Sequence, residues 1–395
     1  MFPRNGKNKH RPFFRRTVLM LKKTVLTLLS VLLCGVICHG GARAEDIEIS
    51  ARAAIVTEPY TGTVLFEKNA DERLLIASTT KIMTALVVVE NCALDERVSV
   101  TQAHAGIEGS SMYLKPGGDY TVEDVLYGLI LASGNDAGAA LADHCAGSME
   151  AFAALMNQKC EDLGLENTHF VNSHGLDDEE HYSTARDLAT ITAAAMENDT
   201  LRKIFGTVTH TVNGITYTNH NKLLRTCEGC IGGKTGYTSH AGRILVSCVE
   251  REGMRLICVT ISDPNDWDDH AALYDKLYGT WRYLALPESR WQRLEVMSGL
   301  KSQVRLQCSR SGLVVPKGAR VTLDVRLPRF VYAPVLAGMR AGTVTVSVNG
   351  AVLETAEIWY RETVSPDPAV SLNGWERFKR FLSKSTESGV YYLTD

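Results

Sequence analysis

The sequence lacks the signatures of several common enzyme classes. It contains no His-Glu-x-x-His, and its Cys227-Glu228-Gly229-Cys230 has no second Cys or His pair at zinc spacing, so metal chemistry has no foothold. No glycine-rich phosphate loop occurs, which excludes the usual nucleotide enzymes. There is no internal repeat and no low-complexity segment. Basic charge is scarce beyond residue 44. Residues 45–395 hold 33 Lys and Arg against 45 Asp and Glu, net −12, and a body that acidic does not bind nucleic acid. The apolar run at Thr24–Cys38 is shorter than the roughly 20 residues a membrane helix needs.

That run has another use. Residues 1–44 carry nine Lys and Arg and no Asp or Glu, and Ala42-Arg43-Ala44 ends them with a small-residue cleavage signal. The layout is that of a secretory signal peptide cut after Ala44, which predicts export. Met20-Leu21-Lys22-Lys23 alone would make an ordinary basic start. The length that remains suggests two domains, at roughly 150 residues each. Eight cysteines lie beyond the signal, most in apolar contexts such as Val246-Ser247-Cys248-Val249, and these read as core thiols. Cys227 and Cys230 are compatible with either a local disulfide or two free thiols.

The periodicity predicts an α+β domain over 45–287, an antiparallel sheet flanked by helices. A hairpin is expected from Ala53–Val56 and Thr63–Phe66, and helices over Lys81–Val89, Thr121–Ala132, Ala137–Ala146, Ser183–Glu197 and Ala271–Leu284. Strands are expected at Arg243–Val249 and Met254–Ser262, with Lys234-Thr235-Gly236 opening another. From 288 to 368 the alternation of Val321, Leu323, Val325 and Leu327, and the Asn349-Gly350 turn signal, predict a small all-β domain.

Three short motifs carry the chemistry: Ser78-Thr79-Thr80-Lys81, Ser133-Gly134-Asn135 and Lys234-Thr235-Gly236. Each alone is ordinary, since Ser78 reads as a helix cap and Ser133-Gly134-Asn135 as a turn. Together they describe a serine acyl-transfer site with lysine as base. Ser78 at a helix start sits beside free N–H groups, and Lys81 one turn along the same face can reach its hydroxyl. Desolvation and a second cation, Lys234, would keep Lys81 neutral. Ser133 would relay a proton to the leaving amine, and Asn135 would anchor the substrate backbone. Gly236 suits a close approach of backbone to a peptide ligand, with Lys234 and Thr235 attracting its carboxylate.

These motifs, with Leu65-Phe66-Glu67-Lys68-Asn69-Ala70, Asn172-Ser173-His174-Gly175-Leu176, Ser183-Thr184-Ala185-Arg186-Asp187-Leu188 and Asn219-His220-Asn221-Lys222-Leu223-Leu224, give the sequence a resemblance to the low-molecular-mass penicillin-binding D-alanyl-D-alanine carboxypeptidases. The resemblance implies a D-Ala-D-Ala stem peptide of peptidoglycan as substrate, covalent reaction with β-lactam antibiotics and no metal or other cofactor. It further implies Ser78 as nucleophile, with the N–H groups of Ser78 and Tyr237 as oxyanion hole. One departure stands out. Where some relatives hold the substrate carboxylate with an arginine, Ser262-Asp263-Pro264-Asn265-Asp266-Trp267 has no base, so recognition falls to Lys234, Thr235 and His220.

The rival readings are a DD-endopeptidase, a β-lactamase, and a non-catalytic wall-binding or sensor protein. No Glu-x-x-x-Asn supplies an added deacylating carboxylate, and a pure binder has no need of Lys81 beside Ser78. The tail over 369–395 adds an expectation. As a helix, residues 372–384 would gather Trp375, Phe378, Phe381 and Leu382 on one arc with Arg377, Arg380 and Lys384 opposite, an amphipathic element suited to a membrane surface.

Overall fold

The computed structural model describes residues 47–287 and 291–370 and the backbone of Glu387–Leu393. The signal peptide expected over 1–44 and the amphipathic helix expected over 372–384 lie outside the described residues. No helix among the described residues is long and apolar enough to cross a membrane.

The chain opens with a hairpin, β1 (Ala53–Glu58) and β2 (Thr63–Lys68). A 3₁₀ turn at Ala77–Thr80 runs into α1 (Lys81–Asn91), followed by the short α2 (Gln102–Ala105). Next come α3 (Val122–Leu131), α4 (Asn135–Ala146), α5 (Met149–Asp162), α6 (Ala185–Glu197) and α7 (Asp199–Gly206). Caps mark where most of these begin. Thr121, Ser148, Thr184 and Asn198 each accept a hydrogen bond from a backbone N–H in the first turn that follows. A small hairpin, β3 (Thr209–Val212) and β4 (Ile215–Thr218), and the turn α8 (Leu223–Thr226) lead to β5 (Cys230–Thr238), β6 (Gly242–Arg251) and β7 (Met254–Ile261).

The main sheet runs β2-β1-β7-β6-β5, antiparallel throughout. Its order joins the first strands of the domain to the last, because β1 pairs with β7 from Ala53↔Ile261 to Thr57↔Ile257. All eight residues of β7 are buried, since the sheet is covered on both faces. Ile257, Val259 and Ile261 enter the core shared with α1, α3 and α6, while Thr260 meets His270 of α9 (Asp266–Thr280) on the other face. That arrangement leaves β5 at an open edge of the sheet.

The structure corrects two local expectations in this domain. Lys234-Thr235-Gly236 lies in the middle of β5 rather than at its start, because the strand begins four residues earlier on a glycine-rich stretch. At Gly233 a Cβ would fall 2.2 Å from the Val246 carbonyl oxygen, so glycine there marks close strand pairing, not a break. The helix expected over Ala271–Leu284 runs from Asp266 and stops at Thr280. Trp281–Ala285 turns extended as β8 and pairs with β11 (Gly312–Pro316) of the following module.

The β-module therefore takes its first strand from before the expected boundary at 288. It continues with β9 (Arg293–Met297), β10 (Gln303–Cys308), β12 (Val321–Leu327), β13 (Phe330–Tyr332), β14 (Arg340–Val348) and β15 (Ala351–Tyr360). The seven-stranded sheet has the order β13-β9-β10-β15-β14-β12-β16. Asn349 and Gly350, both at positive φ, turn β14 into β15. The edge strand β16 (Glu387–Leu393) pairs with β12, so the last part of the expected tail belongs to this sheet.

Candidate active site

Ser78 sits inside the 3₁₀ turn, and Lys81 is the first residue of α1. An amphipathic helix would keep such a lysine wet, but α1 is buried from Lys81 through Val88, and the Lys81 side chain goes with it. Its amine nitrogen has three neighbours at bonding distance: Ser78 Oγ at 2.9 Å, Asn135 Oδ1 at 2.7 Å and the His174 carbonyl oxygen at 2.5 Å. Two of these can only accept. A neutral Lys81 therefore gives its two N–H bonds to Asn135 and His174 and turns its lone pair toward the Ser78 hydroxyl. Burial lowers the Lys81 pKa well below the ordinary lysine value, and the charge of Lys234 lowers it further, against a smaller opposing pull from Asp136.

Lys234 makes a second lysine–serine pair. It is buried in the middle of β5, with Nζ 3.0 Å from Ser133 Oγ and 2.8 Å from the Thr235 carbonyl oxygen. Desolvation brings its pKa down to about 7. Ser133 lies between α3 and α4 at φ 57°, a left-handed conformation unusual for serine and a mark of a strained, held position. The hold comes from the two residues that follow Gly134. Asn135 donates from Nδ2 to the Glu108 carbonyl at 2.7 Å. The fully buried Asp136 accepts from Ser111 Oγ and from the backbone N–H groups of Met112, Leu114 and Ala137.

Gly236 faces the nucleophile. A Cβ there would stand 3.2 Å from both Ser78 N and the Ile76 carbonyl oxygen, so β5 passes directly against the Ser78 backbone. Thr235 is half-buried and Tyr237 is exposed. His220 is held between Asn219 and Asn221, whose side chains bond the Thr207 and Gly232 carbonyls. It is exposed to solvent yet near enough to Lys234 for that charge, after desolvation, to lower its pKa.

Of the nine residues singled out in the sequence, the structure joins Ser78, Lys81 and Asn135 by hydrogen bonds, pairs Lys234 with Ser133 and lays Gly236 against the Ser78 backbone; Thr235 and Tyr237 flank Gly236 on β5, and His220 lies in the segment before α8. Sequence reasoning missed the His174 and Glu108 carbonyls, whose roles belong to the backbone. It also passed over Asp136, which the first turn of α4 right after Asn135 could have flagged. Cys227 and Cys230 are free thiols, as are Cys92 and Cys145, which are half-buried rather than core residues. Among the described residues, no three His, Cys, Asp or Glu side chains gather to hold a metal ion.

A family model described as D-alanyl-D-alanine carboxypeptidase matches residues 41–265. The chain is 35% identical over 344 residues to the D-alanyl-D-alanine carboxypeptidase DacC of Escherichia coli (strain K12), covering 81% of this chain and 86% of that one. It is 29% identical over 386 residues to DacF of Bacillus subtilis (strain 168), covering 89% and 99%. Among solved structures, penicillin binding protein 5 from Haemophilus influenzae superposes with a TM-score of 0.70 at 29% identity, over 81% of this chain and 99% of that one. A mutant of the Streptomyces K15 DD-transpeptidase gives 0.57 at 34% identity, over 59% and 100%.

Proposed function

Since the chain belongs to the family of serine-type D-alanyl-D-alanine carboxypeptidases, of the low-molecular-mass penicillin-binding class, we propose that it works through an acyl-enzyme on Ser78. Neutral Lys81 takes the Ser78 proton while Oγ attacks the carbonyl of the penultimate D-Ala of a peptidoglycan stem peptide. The N–H groups of Ser78 and Tyr237 receive the oxyanion, each donor contributing about 3–4 kcal/mol. As the tetrahedral intermediate collapses, Ser133 relays to the amine of the departing D-Ala the proton that Lys81 took from Ser78, which leaves Lys81 neutral again, while the charge of Lys234, 3.0 Å from Ser133 Oγ, orients that hydroxyl. Lys234, Thr235 and His220 engage the terminal carboxylate. Water, deprotonated through Lys81 and Ser133, then hydrolyses the ester and frees Ser78.

The observation that carries this reading is the Lys81 environment: a buried amine with two acceptor-only partners and one serine hydroxyl. A β-lactam presents a strained acyl group to the same hydroxyl and forms a covalent adduct there. Incubating the purified protein with a stem pentapeptide and measuring released D-Ala tests the reaction; absence of D-Ala release by a folded enzyme overturns it.

The same reading places the enzyme outside the cytoplasm, supported by the basic, apolar and Ala42-Arg43-Ala44 layout of residues 1–44. N-terminal sequencing of the exported protein should begin at Glu45. It also assigns residues 372–384 to a membrane surface, supported by the opposed aromatic and basic residues in that segment. Flotation with anionic liposomes, comparing the mature chain with one ending at Pro368, tests it; equal flotation of the two removes the assignment.

A further inference from the structure

Ala77, just before the nucleophile, adopts φ 44°, a left-handed conformation that a non-glycine residue holds only when its surroundings enforce it. The peptide that follows joins the Ala77 carbonyl to the Ser78 N–H. In a planar trans peptide these two groups point in opposite directions, so whatever grips the carbonyl aims the N–H. Thr80 Oγ1 donates to the Ala77 carbonyl oxygen at 2.8 Å, and His181 Nε2 lies 2.7 Å from the same Oγ1.

The direction of each bond follows from the partners. The Val171 N–H donates to His181 Nδ1 at 3.2 Å, so Nδ1 holds a lone pair and the ring proton is on Nε2. Nε2–H therefore donates to Thr80 Oγ1, and the single Thr80 hydroxyl proton is left for Ala77. His181 is buried, with Phe170 edge-on at 5.5 Å between ring centroids. Desolvation brings its pKa down to about 4, which keeps the imidazole neutral. The His169–Tyr182 bridge and a bond from the His181 N–H to the Asp178 carbonyl hold its backbone.

We propose that His181 is a positioning residue for the oxyanion hole: through the Thr80 hydroxyl it locks the Ala77–Ser78 peptide so that the Ser78 N–H points at the developing oxyanion. This rests on the acyl-enzyme reading above. His181 touches neither substrate nor Ser78, and nothing in the three motifs marks it. Its sequence neighbourhood shows only a histidine before Tyr182-Ser183-Thr184. The ring works through hydrogen-bond direction, not through charge.

The test compares His181→Leu, His181→Gln, Thr80→Val, Thr80→Ser and the double variant His181→Leu/Thr80→Val. Penicillin acylation rate, kcat and KM for the stem pentapeptide, and Tm are read for each. His181→Leu should lower the acylation rate and kcat by about 10- to 100-fold, less than outright loss of an oxyanion donor, with KM within about twofold. Gln carries an N–H that can reach Thr80 and should recover most of the rate; Thr80→Ser keeps the hydroxyl and should stay close to the parent. Because both changes break one chain, the double variant should be no slower than Thr80→Val alone. Full-rate acylation by His181→Leu overturns the proposal, as do rates that simply follow Tm across the set, or multiplicative losses in the double variant. If His181→Leu does not fold, the Thr80 pair and His181→Gln give the same decision. A penicillin adduct that survives Ser78→Ala in the parent would instead remove the acyl-enzyme reading itself.

Discussion

The Ala77 carbonyl oxygen occupies the space where a side chain on Gly175 would begin: a Cβ there would fall 1.9 Å from that oxygen and 2.4 Å from its carbon. Gly175 is also at φ 87°. The loop that supplies the His174 carbonyl to Lys81 is thus pressed onto the peptide that carries the Ser78 N–H. Asn172 ties this loop, its Oδ1 accepting from the His174 and Gly175 N–H groups and its Nδ2 donating to the Leu176 carbonyl.

Gly175→Ala should therefore damage both stability and rate. Overpacking of this kind costs about 1–3 kcal/mol, and here the obstacle is backbone that cannot rotate away. We expect a Tm lowered by several degrees and penicillin acylation slowed by about 100-fold or more, since Lys81 and Ser78 both lose their alignment. A variant with parental Tm and parental acylation would contradict the contact.

Ser78 and Lys81 can be separated by mass. One penicillin adduct is expected on the parent and none on Ser78→Ala. Lys81→Arg keeps a long basic side chain at the helix start but stays protonated and cannot accept a proton, so it should fold and fail to acylate. Appreciable adduct on Lys81→Arg would move the base elsewhere.

The pH profile of kcat/KM should be a bell with two lysine limbs. Acylation needs neutral Lys81, whose pKa is lowered, so the rate rises with pH as Lys81 loses its proton. Carboxylate binding needs charged Lys234, whose pKa is about 7, so the high-pH limb falls above neutrality, at most about tenfold per pH unit. Lys234→Arg stays charged and should lose the high-pH limb whatever its overall rate; an unchanged limb would assign it to another group.

Asp136→Asn probes the buried anion behind the site. Asp136 accepts from Ser111, Met112, Leu114 and Ala137, and weakening a charged hub of this kind costs about 1–3 kcal/mol in stability. The Asp136 charge also raises the Lys81 pKa, so its removal lowers that pKa further. The low-pH limb of acylation should then shift to lower pH. A shift in the opposite direction would show that the substitution acts through geometry.

The Cys227–Cys230 pair should have little effect on catalysis. Both are free thiols, Cys227 Sγ accepting from Arg251 Nη2 at 3.4 Å, and a loop this short would constrain little even if closed. D-Ala release by the parent should be the same with and without reductant, and within about twofold in the double Ser variant, a change too small to count as loss of transition-state stabilisation. A large, reversible loss on reduction would make the pair a redox switch.

Much of this molecule is local, and the sequence by itself determined that part. Thr121, Ser148, Thr184 and Asn198 cap helices through their own side chains, the Asn349-Gly350 turn needs two residues at positive φ, and period-two alternation writes β12 and β14 directly. The motif spacing also put Lys81 within one turn of Ser78. Reading failed where local signals conflict with long-range pairing. The strand expected to open at Lys234 already begins at Cys230, and it needs Gly233 to pair with β6 and Gly236 to pass Ser78. Trp281–Leu284 continues an apolar helical pattern, yet it turns extended because β11 is there to pair with it.

Only the tertiary structure decided what makes Lys81 a base and Ser78 N–H a donor. The partners come from far along the chain: Asn135 at a separation of 54, His174 at 93, and for Thr80 His181 at 101. Two of the contacts that matter most, the His174 and Ala77 carbonyls, are backbone groups that every residue possesses, so no residue type announces them. Burial is equally non-local, because the pKa of a lysine falls only when the fold has closed around it.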